Sequence, residues 1–121
     1  HDFEFVTLPD GKTPHEMMFK GAPLLDWEMD IAWVIRGGAD PIKLIKKYAG
    51  NITAAHIKDI APKGKNADED GWADVGHGTV DWKPIMAALK KTRVRHFVLE
   101  HDKPADTKRF AERSFVAASK L

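Results

Sequence analysis

Ile52-Thr53-Ala54-Ala55-His56-Ile57-Lys58-Asp59 is a run of β-branched and small apolar residues that ends in an imidazole, an amine and a carboxylate. Two other stretches close in a similar way. Trp27-Glu28-Met29-Asp30 ends in a carboxylate, and Val98-Leu99-Glu100-His101-Asp102 ends in two carboxylates around an imidazole. Short apolar runs that stop at polar residues read as buried strands. Each of the three thus delivers a metal-type ligand at its carboxyl end, which is where parallel α/β folds build their sites.

Outward from these runs the pattern is strand then helix, four times. Residues 2–7 alternate in strand fashion, Asp10-Gly11 turns the chain, and residues 14–20 start a short helix at Pro14. Strands are expected over 25–30, 52–57 and 96–100. Asp40-Pro41 opens the helix after the second strand, with Ile42, Leu44, Ile45 and Tyr48 as its apolar face. Asp81 is placed to cap a helix that buries Ile85, Met86 and Leu89. A last helix over about 104–120 has Phe110, Phe115 and Val116 as anchors. Between Asp59 and Gly78 lies a polar stretch that reads as a mobile lid around Lys63, Lys65, Asp68, Glu69 and Asp70, its second part packed down by Trp72 and Val75. Gly76-His77-Gly78 reads as a tight turn.

Alternating strands and helices imply a parallel sheet with helical crossovers. The fold class is α/β, with four parallel βα units. An eight-stranded barrel takes about 250 residues, so residues 1–121 are expected to form one half-barrel of a (β/α)8 TIM barrel. The chain opens on His1 directly into a strand-like segment, as expected of a chain that starts inside a larger fold.

Composition narrows the function. Nineteen basic and eighteen acidic residues are spread along the chain, so no charge block marks a nucleic-acid or membrane surface. There is no cysteine, and any metal must be held by His, Asp and Glu. No apolar stretch approaches the roughly 18 residues of a membrane span, and no signal peptide is visible, which leaves cytoplasm as the expected compartment.

The set His1-Asp2-Phe3-Glu4-Phe5, Glu28-Met29-Asp30-Ile31-Ala32-Trp33, Gly38-Ala39-Asp40-Pro41, His56-Ile57-Lys58-Asp59, Val75-Gly76-His77-Gly78-Thr79-Val80-Asp81-Trp82 and Leu99-Glu100-His101-Asp102 resembles the sugar phosphate isomerase/epimerase family of the xylose-isomerase-like barrel superfamily. The resemblance runs the length of the chain and implies the C-terminal half of the barrel. It implies a divalent ion (Mn, Co, Mg or Zn) held by Asp30, His56 and Glu100, with a fourth ligand expected just before His1 and with His1 or Glu4 as substitutes. It also implies a small sugar or sugar-phosphate substrate. Glu100 is the expected catalytic base, and Trp33, Lys58 and His101 are the expected substrate contacts. Two positions depart from the family: Trp33 stands where ketose epimerases carry a histidine, and Asn51 where relatives usually carry an arginine.

The chemistry also follows from the residues. A divalent cation held by oxygen and imidazole ligands polarises adjacent sugar oxygens and lowers the cost of an enediolate-like charge. Moving a proton beside a carbonyl then needs a positioned base, and a carboxylate bound through one oxygen keeps the other for that work. A dehydratase or lyase acting on keto-inositols or 3-keto-sugars uses the same opening step and stays open as an alternative. DNA endonucleases of the superfamily need a basic groove and more ligands than are present. A non-catalytic half-barrel is the alternative of another class. Its exposed parallel edge calls for a partner, either a second copy in a homodimer or the missing N-terminal half-barrel. Without the metal reading, Asp30 is a helix cap, His56 a core histidine, Lys58 and Asp59 a surface pair, and Trp33, Trp72 and Trp82 packing residues.

Overall fold

A computed structural model describes all 121 residues. Three parallel strands form the sheet: β1 (Trp27–Asp30), β2 (Ile52–Ile57) and β5 (His96–Leu99), in the order β1-β2-β5. The register pairs Asp30 with His56 and His56 with Val98. Helices cover one face of the sheet: α1 (Pro14–Gly21), α2 (Ile31–Arg36), α3 (Pro41–Lys47), α4 (Trp82–Leu89) and α5 (Thr107–Ala118). No helix is long and apolar enough to cross a membrane.

The core lies between sheet and helices. Met29, Ala55 and Ile57 point to this side and are almost fully buried, packed with Ile45 of α3 and Ile85, Met86 and Leu89 of α4. Both helical stripes match the apolar spacing in the sequence. Thr13 caps α1 by accepting from Glu16 N at 3.2 Å, and Asp40 caps α3 through Ile42 N and Lys43 N, with Pro14 and Pro41 in the first turns. The opposite face of the sheet carries Glu28, Asp30, Ala54, His56, Val98 and, just past the strand, Glu100. The two-residue repeat of a strand separates these polar side chains from the core.

The structure corrects several expectations. Residues 2–7 are not a strand. Asp2–Phe5 forms a 3-10 turn in which the His1 amine pairs with Glu4 at 2.9 Å. A strand must share its backbone groups with a neighbour, whereas this segment lies across Gly37, where an added Cβ would meet Asp2 O at 2.7 Å and Phe5 Cβ at 2.9 Å. The sheet therefore has three parallel strands and not four.

The stretch from Asp59 to Gly78 is a folded excursion, not an open lid. An antiparallel pair, β3 (Asp59–Ile60) with β4 (Trp72–Ala73), closes its base, and Asn66 Nδ2 donates to Trp72 O at 2.9 Å. Residues 62–68 and Asp70 are exposed, while Glu69 and residues 72–75 are buried. Asp59, fully buried, is the hub: its carboxylate accepts from Ile60 N (2.8 Å), Gly76 N (2.9 Å), Val80 N (3.1 Å) and Trp82 Nε1 (3.0 Å). Asp81, expected to cap α4, makes no side-chain capping bond; Asp59 instead ties the chain just before the helix and the Trp82 indole of its first turn. Gly78 is required by this contact, since a Cβ there would stand 2.1 Å from Asp59 Oδ1.

On α5 the inward face is buried Ser114 with half-buried Phe110, Ala117 and Ala118, which lie four residues before it and three and four after it. Ser114 Oγ accepts from Val75 N at 3.0 Å. Phe115 and Val116 fall beside that face and are exposed, so they are not anchors.

His15 is sealed in an aromatic cage of Phe5, Phe19, Trp27 and Tyr48, and neither ring nitrogen has a hydrogen-bond partner. Burial holds its pKa below the ordinary 6.5, against the smaller pull of Glu4. The unfolded chain thus takes up this proton first as pH falls, and the contribution of neutral His15 to stability is complete above about pH 6.5 and lost below it. His56, whose pKa is raised, works in the opposite sense. A His15→Phe variant isolates the effect: its thermal midpoint is expected to fall less than that of the wild type between pH 7 and pH 5. Parallel curves would place the acid-sensitive group elsewhere.

Candidate metal centre

Asp30, His56 and Glu100 meet at the carboxyl ends of the three parallel strands, on the face that carries no helices. One potential ligand atom from each lies within 4.8 Å of the others. The strand register accounts for this. Asp30 and His56 are paired neighbours, and Glu100 stands two residues past Val98, the residue paired with His56.

Asp30 has two tasks divided between its oxygens. Oδ1 accepts from Trp33 N at 2.9 Å and caps α2, while Oδ2 lies 3.7 Å from His56 Nδ1. The cap and the ligand readings are therefore compatible in one side chain, and the cap locks the orientation of the second oxygen. His56 is held at both ring edges. Nδ1 contacts Glu100 Oε2, and Nε2 lies 2.9 Å from Glu28 Oε1. Burial of the ring opposes charge, but the hydrogen bond to Glu28, the charge and hydrogen bond of Glu100, and the charge of Asp30 outweigh it. The net effect raises the His56 pKa.

Lys58, two residues on, is fully buried beside the cluster and not on the surface with Asp59. Its Nζ bonds Asp102 Oδ2 at 2.5 Å and lies 3.8 Å from both Asp30 Oδ2 and Glu100 Oε2. Trp33 and Trp72 face the amine, with ring centroids at 5.1 and 4.3 Å. Four carboxylates (Glu28, Asp30, Glu100 and Asp102) thus crowd around one lysine and one histidine.

The other expected site residues lie further out. Trp33 is half-buried, packed edge-on against Trp72 and 5.0 Å from the His1 ring. Neither His1 nor Glu4 joins the ligand set: His1 stacks on aromatic rings, and Glu4 pairs with the chain's own amine. His101 is turned away beneath α5, against Phe110 and 3.9 Å from Glu69. Burial lowers its pKa, and the charge of Glu69 opposes this. Glu69 is itself bound by Ala105 N and Arg109, which hold its carboxyl below the usual range. Arg109 also grips Asp74 and has a raised pKa. These residues tie the 59–78 excursion to α5. Asn51 donates to Pro23 O and Leu25 O and steers the chain into β1.

Sequence reasoning missed Glu28 and Asp102. The signal for both was the two-residue repeat, which sets Glu28 on the face of Asp30 and carries Asp102 on from Glu100.

The donor set fits a divalent ion. One imidazole and two carboxylates match the preferences of first-row divalent cations, and the 3.7 Å between Asp30 Oδ2 and His56 Nδ1 is a span that two ligands of one ion cover at about 2.1 Å each. Excess negative charge around the cluster acts in the same direction.

A parallel sheet with helices on one face and ligand-type residues at its strand ends is the architecture of part of a β/α barrel. Among solved structures, the chain is similar to two sugar phosphate isomerase/epimerases from Parabacteroides distasonis ATCC 8503. One matches at a TM-score of 0.72 with 19% identity over 98% of this chain and 41% of its own. The other matches at 0.70 with 21% identity over 99% of this chain and 42% of its own. At these identities the likeness shows the fold, and the chain spans about two-fifths of the length of each. No protein-family model matches the chain, and no curated protein matches it.

Proposed function

We propose that this chain supplies the metal-holding side of a sugar or sugar-phosphate isomerase/epimerase site. The convergence of Asp30, His56 and Glu100 at three parallel strand ends supports this reading most directly. A divalent ion (Mn, Co, Mg or Zn) held there polarises substrate oxygens and favours loss of a proton from the neighbouring carbon. Glu100 is the general base in this reading: it is partly exposed, and its contact to His56 uses one oxygen, leaving the other for proton transfer. Asp30 is held in place by the α2 cap. Trp33 forms a wall beside the site, and buried Lys58 steadies Asp30, Glu100 and Asp102 instead of reaching substrate from the surface.

The outer edge of β5 is open, with Phe97 42% and Val98 40% exposed. Such an edge favours pairing with further sheet, and we propose that residues 1–121 act as a half-barrel completed by a second copy or by an N-terminal half-barrel. The test is carried out on whichever species native mass measurement identifies. With manganese present, aldose and ketose sugars and their phosphates are expected to exchange the carbon-bound proton with deuterated water, and Glu100→Gln is expected to slow this by about 100-fold or more. Equal exchange by wild type and variant would remove Glu100 as the base.

A further inference from the structure

The ion-holding reading of Asp30, His56 and Glu100 leaves open which nitrogen of His56 faces the ion and what decides it. An imidazole ligand that rotates, or exchanges its proton between nitrogens, is a poor one. Metal-bound histidines are generally fixed by a partner on the far ring nitrogen.

Glu28 is built to be that partner. Strand alternation in β1 places it on the face of Asp30, one step back from the strand end, and the register sets it opposite Ala54. The small Ala54 side chain leaves room for Glu28 to reach diagonally across to the ring of His56, with Oε1 2.9 Å from Nε2. Glu28 makes no other hydrogen bond or ion pair, and its side chain is 56% exposed, so neither burial nor a competing partner explains its position. On the opposite ring edge, Nδ1 faces Asp30 Oδ2 and Glu100 Oε2.

We propose that Glu28 is a positioning residue that selects the Nε2–H tautomer of His56 and so presents the Nδ1 lone pair to the ion. A carboxylate accepts but does not donate. Facing Nε2, it favours a proton there and disfavours the tautomer that would set a nitrogen lone pair against its oxygen. Nδ1, which faces Glu100 Oε2 and Asp30 Oδ2, is then the ring atom that ligates, the ion taking the place between it and the two carboxylates.

The experiment is calorimetric titration of zinc into the wild type, Glu28→Ala and Glu28→Gln, together with long-range proton–nitrogen NMR of the histidine rings in the zinc-free and zinc-loaded chains. Glu28→Ala is expected to bind zinc 10- to 100-fold more weakly. Glu28→Gln should fall between, because its amide oxygen still accepts from Nε2. The spectra should show Nδ1 ligation in the wild type and, in the zinc-free chains at alkaline pH, a larger Nδ1–H population in Glu28→Ala than in the wild type, because Glu100 and Asp30 still face Nδ1 when Glu28 is gone. Wild-type zinc affinity in Glu28→Ala, or ligation through Nε2 in the wild type, would overturn the proposal. If the wild type holds no zinc, the ion-holding reading fails by itself, and the zinc-free tautomers still decide the role of Glu28: equal populations in wild type and Glu28→Ala would refute it.

Discussion

His56→Ala is expected to weaken binding of zinc and cobalt by well over 100-fold, measured by calorimetry on the intact chain. Loss of a residue that merely orients a metal ligand already costs 10- to 100-fold, and His56 is the only nitrogen donor among the three candidate ligands. Borderline cations such as zinc and cobalt lose most when imidazole is removed, while magnesium and manganese rely more on the carboxylates and should lose less. The order of losses across metals therefore carries information that a single affinity does not. His56 lies on the helix-free face of the sheet, outside the hydrophobic core, so circular dichroism should be unchanged. Equal affinities in wild type and variant would remove the site.

The second large effect is on stability. Asp59→Ala is expected to lower unfolding free energy by about 3 kcal/mol or more in urea denaturation, since leaving buried donors without an acceptor costs about 1–3 kcal/mol each and the losses are not fully additive. Four donors lose their acceptor: the amides of Ile60, Gly76 and Val80 and the indole N–H of Trp82. The excursion and the start of α4 share this carboxylate, so both should loosen together, with faster amide exchange at Gly76 and Val80. Asp59→Asn should be milder, as the amide oxygen retains some of these bonds. A variant as stable as the wild type would show that water replaces Asp59 readily, contrary to its complete burial.

Much of the site was legible because strand periodicity is local. Ile52–Ile57 is a strand with the expected bounds, and the end positions of Asp30, His56 and Glu100 follow from where the apolar runs stop. The spacing of Ile45, Ile85, Met86 and Leu89 likewise reports the buried faces of α3 and α4. Other features depend on contacts between distant segments. Alternation in residues 2–7 looks like a strand, but pairing requires a neighbour, and packing over Gly37 decided otherwise. Phe115 and Val116 are apolar, yet the seat of α5 is set by Ser114 on Val75 and by Arg109 on Glu69 and Asp74. The polar run after Asp59 looks solvated until one buried carboxylate is seen to organise it.

The sequence by itself determined the α/β class, the three strands of the parallel sheet and the ligand-type residue closing each, because a two-residue repeat and a chain break at polar residues are properties of short segments. Only the tertiary structure decided that Lys58 is buried beside the cluster, that Glu28 holds His56 and Asp102 holds Lys58, and that His101 faces away. Those choices depend on strand register and on competition between many charged partners in a confined space, where differences of about an ångström in separation, together with burial, select the pairs.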